Sequence, residues 1–293
     1  MSTILIATDF STASKNASLY GVQLARAMKA KIILFTAYQV AHQFAALNVQ
    51  VSSFAMMEDT RKKLADEADA LGNTADVQVQ IVCEEGIPHE AILAIAKEKE
   101  ADLIIVGMKG HGNNLEKLFG STATSLVNDL AIPVIVVPDD ARFNAPKNIL
   151  YASDVFLDTT VTAIDQVKWL TDFFRSKLFV VRVVKDSYEE VRENVNTSHN
   201  LRKELKALHT AFRFPINTNT TDGLTEFIAG HTVDLVVMLP HKHGWIEHLF
   251  VKSETKDMAF HAHLPILMLP RETMAAKNMT LLEVAEKYSN DES

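Results

Sequence analysis

Short apolar runs recur along this chain, each followed by a stretch of helical character, and this alternation restricts the fold more than any other feature. In the first half the runs are Ile4 to Ala7, Lys31 to Ala37, Ala101 to Val106 and Ile132 to Val137, and Val77 to Cys83 alternates and reads as a further strand, the third in order. Runs of this length read as strands, and an unbroken apolar run reads as a strand buried on both faces of a parallel sheet. Ser11 or Thr12 can cap the first helix, whose apolar stripe is Leu19, Val22, Leu24, Ala25 and Met28. Phe54 to Leu71 reads as a charged amphipathic helix, with Gly72 as a left-handed terminator. A third helix carries Ile92, Leu93, Ile95 and Ala96 on one face, and Ser121 to Leu130 makes a fourth. Tyr38 to Ser53 is apolar but irregular and reads as a connecting loop. Strands alternating with helices imply βαβ units, a parallel sheet and right-handed crossovers.

The pattern then starts again. Pro138 to Pro146 has linker composition, and Asn148 to Asp154 repeats Thr3 to Asp9 in kind, a short apolar strand ending in a small residue, a hydroxyl and an aspartate. Asp234 follows Asp102 by 132 positions, as Pro265 follows Pro133, whereas Asp154 follows Asp9 by 145. The second copy is therefore 13 residues shorter, and the deletion is expected between its first and fourth strands, in the region matching the loop after Tyr38. This is an internal duplication. It gives one domain over 1–140, a second over 147–273 and a tail over 274–293, in which Leu281 to Tyr288 reads as a short amphipathic helix. A length of 293 residues suits two domains, each with its own core.

Between the fourth strand and the fourth helix lies Val106 to Ser121, with Gly107, Gly110 and, after nine intervening residues, Gly120-Ser121. Glycines permit close backbone approach, and the first N–H groups of a helix lack intrahelical partners and carry the positive end of its dipole. With a helix starting at Gly120, Ser121 and Thr122, the stretch is a phosphate cradle. Its spacing fits neither the P-loop lysine motif nor the Rossmann fingerprint. Plain turns remain the alternative reading of the glycines, and a helix cap that of Asp9.

This spacing matches in full the nucleotide-binding signature of the universal stress protein family. The Thr8-Asp9-Phe10-Ser11 strand end and the Gly86-Ile87-Pro88-His89-Glu90-Ala91-Ile92-Leu93 run also resemble that family. The chain looks like a tandem member. The resemblance implies two Rossmann-like domains of the adenine nucleotide alpha hydrolase-like type, each with a five-stranded, mainly parallel sheet flanked by helices. It implies ATP, or ADP or AMP, with Mg²⁺ as a possible companion. Residue by residue, Asp9 would contact the nucleoside with Ala7 and Thr8 beside it, and Ala37 would line the adenine pocket. Gly107, Met108 and Gly110 would approach ribose and phosphate, and Gly120, Ser121 and Thr122 would hold phosphates. The resemblance further implies pairing through last strands, internally between the two halves, with a homodimer as another possibility. Positions matching the three glycines in the second copy are Leu239, Lys242 and Lys252, while Ser253 persists and Gly244 matches Gly112. Pro240 also lacks a backbone donor. A single nucleotide site in the first half is therefore expected.

The remaining features narrow the function classes. A net charge of −8 disfavours a nucleic-acid surface. No apolar run approaches the roughly 18 residues of a membrane span, no secretory pattern is visible, and a single cysteine, Cys83, excludes an intrachain disulfide. Together these point to the cytoplasm. Cys83 reads as a buried small hydrophobe at a strand end rather than a redox thiol, and Phe212 to Ile216 and Phe173-Phe174 read as core. His241, His243, His248, His261 and His263 could meet at a metal, but a solvated polar loop is the reading preferred. Lys109 and Lys117 read as solvated lysines that could also steer phosphate. No nucleophile elbow surrounds Ser121, and no catalytic residue is assigned. The expected function is a nucleotide-dependent regulatory module of the stress response. The alternatives are a slow ATPase and a nucleotide-free scaffold.

Overall fold

The computed structural model describes residues 2–39, 53–75, 77–108, 115–152, 161–196, 202–203, 205–240 and 263–270. The protein divides into two compact units, the first built mainly from residues up to Phe143 and the second from Asn144 onward.

The first unit contains β1 (Thr3–Ala7), α1 (Thr12–Met28), β2 (Lys31–Tyr38), α2 (Ser53–Ala75), β3 (Val79–Glu85), α3 (Pro88–Glu98), β4 (Leu103–Met108), α4 (Leu115–Asn128) and β5 (Val134–Pro138). Its strands are parallel in the order β3-β2-β1-β4-β5. Ile4, Leu5 and Ile6 of β1 are fully buried, as their unbroken apolar run requires of a strand covered on both faces. α1 packs on β1, β4 and β5, and α2 on β2 and β3 beside α1. Right-handed crossovers place α3 and α4 on the opposite face.

The second unit contains β6 (Asn148–Ala152), α5 (Val161–Phe173), β7 (Lys177–Val181), α6 (Ser187–Asn196), β8 (Thr210–Arg213), α7 (Thr220–Ala229), β9 (Leu235–Met238) and β10 (Ile266–Met268). Its parallel order, β10-β9-β6-β7-β8, is the same as that of the first unit, element for element. Individual hydrogen bonds recur as well. Asp102 Oδ2 accepts from the Thr3 amide at 2.8 Å, and Asp234 Oδ2 accepts from the Asn148 amide at 2.8 Å and that of Lys147 at 2.9 Å. The Ile104 amide donates to the Pro133 carbonyl, and the Val236 amide to that of Pro265. The shortening falls between the second and third strands. Val79 pairs with Ile32, 47 positions back, while Thr210 pairs with Leu178, 32 positions back.

Four expectations change. Gly72 does not end α2, which runs on to Ala75. One glycine costs a helix only about 1 kcal/mol, and here it makes room for the Val77 carbonyl, 3.3 Å from where a Cβ would stand. Leu19 is 43% exposed, because it shares an outward stripe with Lys15, Gln23 and Arg26, while Val22, Leu24, Ala25 and Met28 are buried. Phe173, on the outward face of α5, is likewise exposed and Phe174 half-buried, while Ile216 is exposed and Phe212 and Phe214 only half-buried at and just beyond the edge strand β8. Cys83 is half-buried rather than core. Most of the loop after Tyr38, the tail, and His241, His243, His248 and His261 lie outside the described residues.

Candidate functional site

β1 lies between β2 and β4, and the chain leaves it toward β2 on one side and returns through β4 on the other. The carboxyl ends of β1 and β4 thus flank the topological switch point, where open α/β sheets place their ligand crevice. Ala7, Thr8 and Asp9 stand at the first end, Gly107 and Met108 at the second, and Ala37 near the end of β2, opposite Glu84 of β3.

The turn out of β1 is held by its own side chains. The Thr8 amide donates to the Phe35 carbonyl at 2.8 Å, so the ladder with β2 continues past the strand. Phe10 then takes a positive φ of 65°, an uncommon state for an aromatic residue, and its amide donates to Thr8 Oγ1 at 3.1 Å. Asp9 Oδ1 accepts from the Ser11 amide at 3.0 Å, and Ser11 Oγ accepts from the Ser14 amide at 3.2 Å. Ser11 is therefore the N-cap of α1, and Asp9 forms an Asx turn ahead of it. Asp9 is exposed. Partial burial pushes its carboxyl up, but hydrogen bonds from the Ser11 and Ser14 side chains and from the Ser11 and Asp9 backbone outweigh this and hold it below the ordinary carboxylate value.

Gly107 has a tertiary reason to be glycine. A Cβ there would stand 2.5 Å from the Ala13 carbonyl oxygen and 2.7 Å from the Ser14 nitrogen, so the first turn of α1 rests directly on the β4 backbone. Met108 is buried. Ala37 is half-buried. These residues and the Asp9 turn share one end of the sheet.

The phosphate cradle differs from expectation. α4 begins at Leu115, not at Gly120, so Ser121 and Thr122 sit inside the helix and their amides are not among its four orphan donors. Leu115-Glu116-Lys117-Leu118 contains strong helix formers, and Gly120 alone does not stop them. Ser121 is exposed and Thr122 half-buried, which leaves the hydroxyls as the groups they can offer. Lys109 and Gly110 lie outside the described residues.

Two groups near the Asp9 turn escaped the sequence reading. Glu67 of α2 reaches Thr8 Oγ1 at 3.2 Å and Ser18 Oγ at 2.9 Å. Its signal was present, since it is a charged residue on the stripe of Leu64, Ala68 and Leu71, all buried. Asn16 of α1 donates through Nδ2 to the carbonyls of Pro138 and Ala141 at 2.7 and 2.9 Å, and Arg142 donates to its Oδ1. This pins the exit of β5 to α1.

In the second unit, Leu239 occupies the position of Gly107 and is buried. Lys242, Gly244, Lys252 and Ser253 lie outside the described residues. No helix among the described residues is long and apolar enough to cross a membrane.

Comparison with known proteins agrees with this geometry. Residues 1–138 match the model of the universal stress protein family. A universal stress protein of Methanocaldococcus jannaschii is 27% identical over 138 residues, covering 46% of this chain and 80% of that protein. One from Thermus aquaticus is 29% identical over 135 residues, covering 46% and 97%. The crystal structure of a universal stress protein from Archaeoglobus fulgidus superposes with a TM-score of 0.69 at 14% identity, over 92% of this chain and 98% of that one. At that identity the superposition speaks for the fold. Family match and fold agree on the half that carries the Asp9 turn, and residues 1–138 of this chain are a universal stress protein domain.

Proposed function

We propose that the first unit binds one adenine nucleotide, ATP, at the carboxyl ends of β1 and β4, and that the protein acts in the cytoplasm as a nucleotide-dependent regulatory module of the stress response. The observation that carries this reading is an exposed, hydrogen-bonded Asp9 at the end of β1, beside the end of β4, at the switch point of a doubly wound sheet. Asp9 would take the nucleoside hydroxyls beside Ala7 and Thr8, Ala37 would border the base, and Gly107, Met108 and Gly110 the ribose and phosphates. The Ser121 and Thr122 hydroxyls, with Gly120 beside them, would reach the phosphates. A carboxylate held below its ordinary range is a weak base, so turnover should be slow and occupancy, rather than hydrolysis, the signal. The second unit, with Leu239 and Pro240 in place of the cradle, would be structural, and the two units would form an internal pair.

The test is isothermal titration of ATP, ADP and AMP into the protein, with mass spectrometry of any nucleotide released on denaturation. One adenine nucleotide per chain is expected, and it should be lost in Asp9→Ala and in the Gly120→Val, Ser121→Ala double variant. At 100 times its Kd the ligand should add about 2.7 kcal/mol of stability. No retained nucleotide and no thermal shift would overturn the reading in favour of a scaffold.

A further inference from the structure

Ser14 is the hub of the turn that presents Asp9. Its buried Oγ lies 3.3 Å from the Asp9 amide, 3.1 Å from Thr8 Oγ1, 3.3 Å from Ser11 Oγ and 3.1 Å from the Ser11 carbonyl. Its carbonyl lies 3.0 Å from Ser18 Oγ. Thr8 and Ser18 each have one hydroxyl proton, and each has two acceptors in reach. For Thr8 they are Ser14 Oγ and Glu67 Oε2, and for Ser18 the Ser14 carbonyl and Glu67 Oε1. The two oxygens of one α2 carboxylate thus compete with Ser14 for both protons.

We propose that Glu67 is a positioning residue for the nucleotide site, one that draws the Thr8 proton to itself and leaves the Ser14 hydroxyl oxygen to accept the Asp9 amide. A carboxylate oxygen is the stronger acceptor, so the Thr8 proton turns toward α2. Its lone pairs then face the Phe10 amide, which needs them at its positive φ. Without Glu67, the Thr8 proton turns onto Ser14 Oγ, where the Asp9 amide and the Ser11 hydroxyl already donate, so three donors compete for two lone pairs. Both hydroxyls remain bonded, so the fold loses little while the turn loses its definition. Docking of α2 thereby sets the geometry of Asp9, an element from outside the β1–α1 turn acting on the site. This inference rests on the nucleotide reading given above.

The experiment titrates ATP into wild type, Glu67→Ala, Glu67→Gln, Ser14→Ala and the Glu67→Ala, Ser14→Ala double variant, and records the Asp9 and Phe10 amide resonances of each by NMR. Glu67→Ala should weaken ATP about tenfold, the order of one hydrogen bond, at nearly unchanged melting temperature, and should shift both resonances. Glu67→Gln should fall between, since its amide oxygen accepts one proton and its NH₂ group none. In the Ser14→Ala background the Glu67 substitution should cost nothing further, because the competed acceptor is gone. Wild-type affinity and unshifted resonances in Glu67→Ala would overturn the proposal, as would an equal loss in the Ser14→Ala background. Failure of the wild type to bind ATP would instead sink the nucleotide reading, and the two resonances would still decide whether Glu67 sets the turn.

Discussion

A Cβ placed on Gly107 would stand 2.5 Å from the carbonyl oxygen of Ala13, so β4 and the first turn of α1 meet backbone to backbone. This contact brings the Asp9 turn next to the end of β4. Gly107→Ala must move the helix or the strand, since neither contacting atom is on a flexible side chain. The expected cost is about 3 kcal/mol, the upper end for overpacking, read as a lower urea midpoint, with ATP affinity lost in parallel.

Ser11 caps α1 through its side chain. Ser11→Ala should destabilise the first unit by about 1 kcal/mol and Ser11→Gly by only a few tenths. Thermal melts of the two variants check the order. An equal loss in both would show that the hydroxyl does something other than cap.

Asp9 is held below the ordinary carboxylate value of 3.8. A folded-state value lower than the unfolded one contributes stability above the unfolded value, and that contribution disappears as pH falls through the folded one. Asp9→Asn should therefore melt below the wild type at neutral pH, and the two curves should converge in acid below the ordinary carboxylate range. A melting difference that does not change with pH would contradict the assignment.

Asp102 and Asp234 hold the first strand of their own units through backbone amides. A hydrogen bond to a charged group is worth about 2 kcal/mol, so Asp102→Ala and Asp234→Ala should each cost about that much in urea unfolding. A loss in one and none in the other would mean that the recurring bond does different work in the two units.

Cys83 has its thiol pushed up by burial and by the charge of Glu84, against a smaller opposing pull from Arg61. The thiolate is the nucleophile, so alkylation by iodoacetamide near neutral pH should run slower than that of a free cysteine. Glu84→Gln should speed it.

Much of the fold was legible because its signals are local. Apolar runs placed four strands of the first unit and alternation the third, and the recurrence of Asp102 at Asp234 and Pro133 at Pro265 marked equivalent hydrogen bonds in the second. The hydroxyl ahead of α1 and the shortened stretch of the second copy also followed from residue order. For the site, sequence placed Ala7, Thr8, Asp9, Gly107 and Met108 at the ends of adjacent strands. What it left to the tertiary structure depended on neighbours distant in the chain. Leu19 and Phe173 are as apolar as their buried neighbours, and only the docked face of each helix decides that they are exposed. Gly107 carries a ligand motif, yet its lack of a side chain is required by Ala13, 94 positions earlier. Glu67 reads as one more charge on a helix until α2 sets it against Thr8 and Ser18. Periodicity records which way a residue faces along its own element, whereas close approach and shared protons belong to pairs that only the packed sheet and helices bring together.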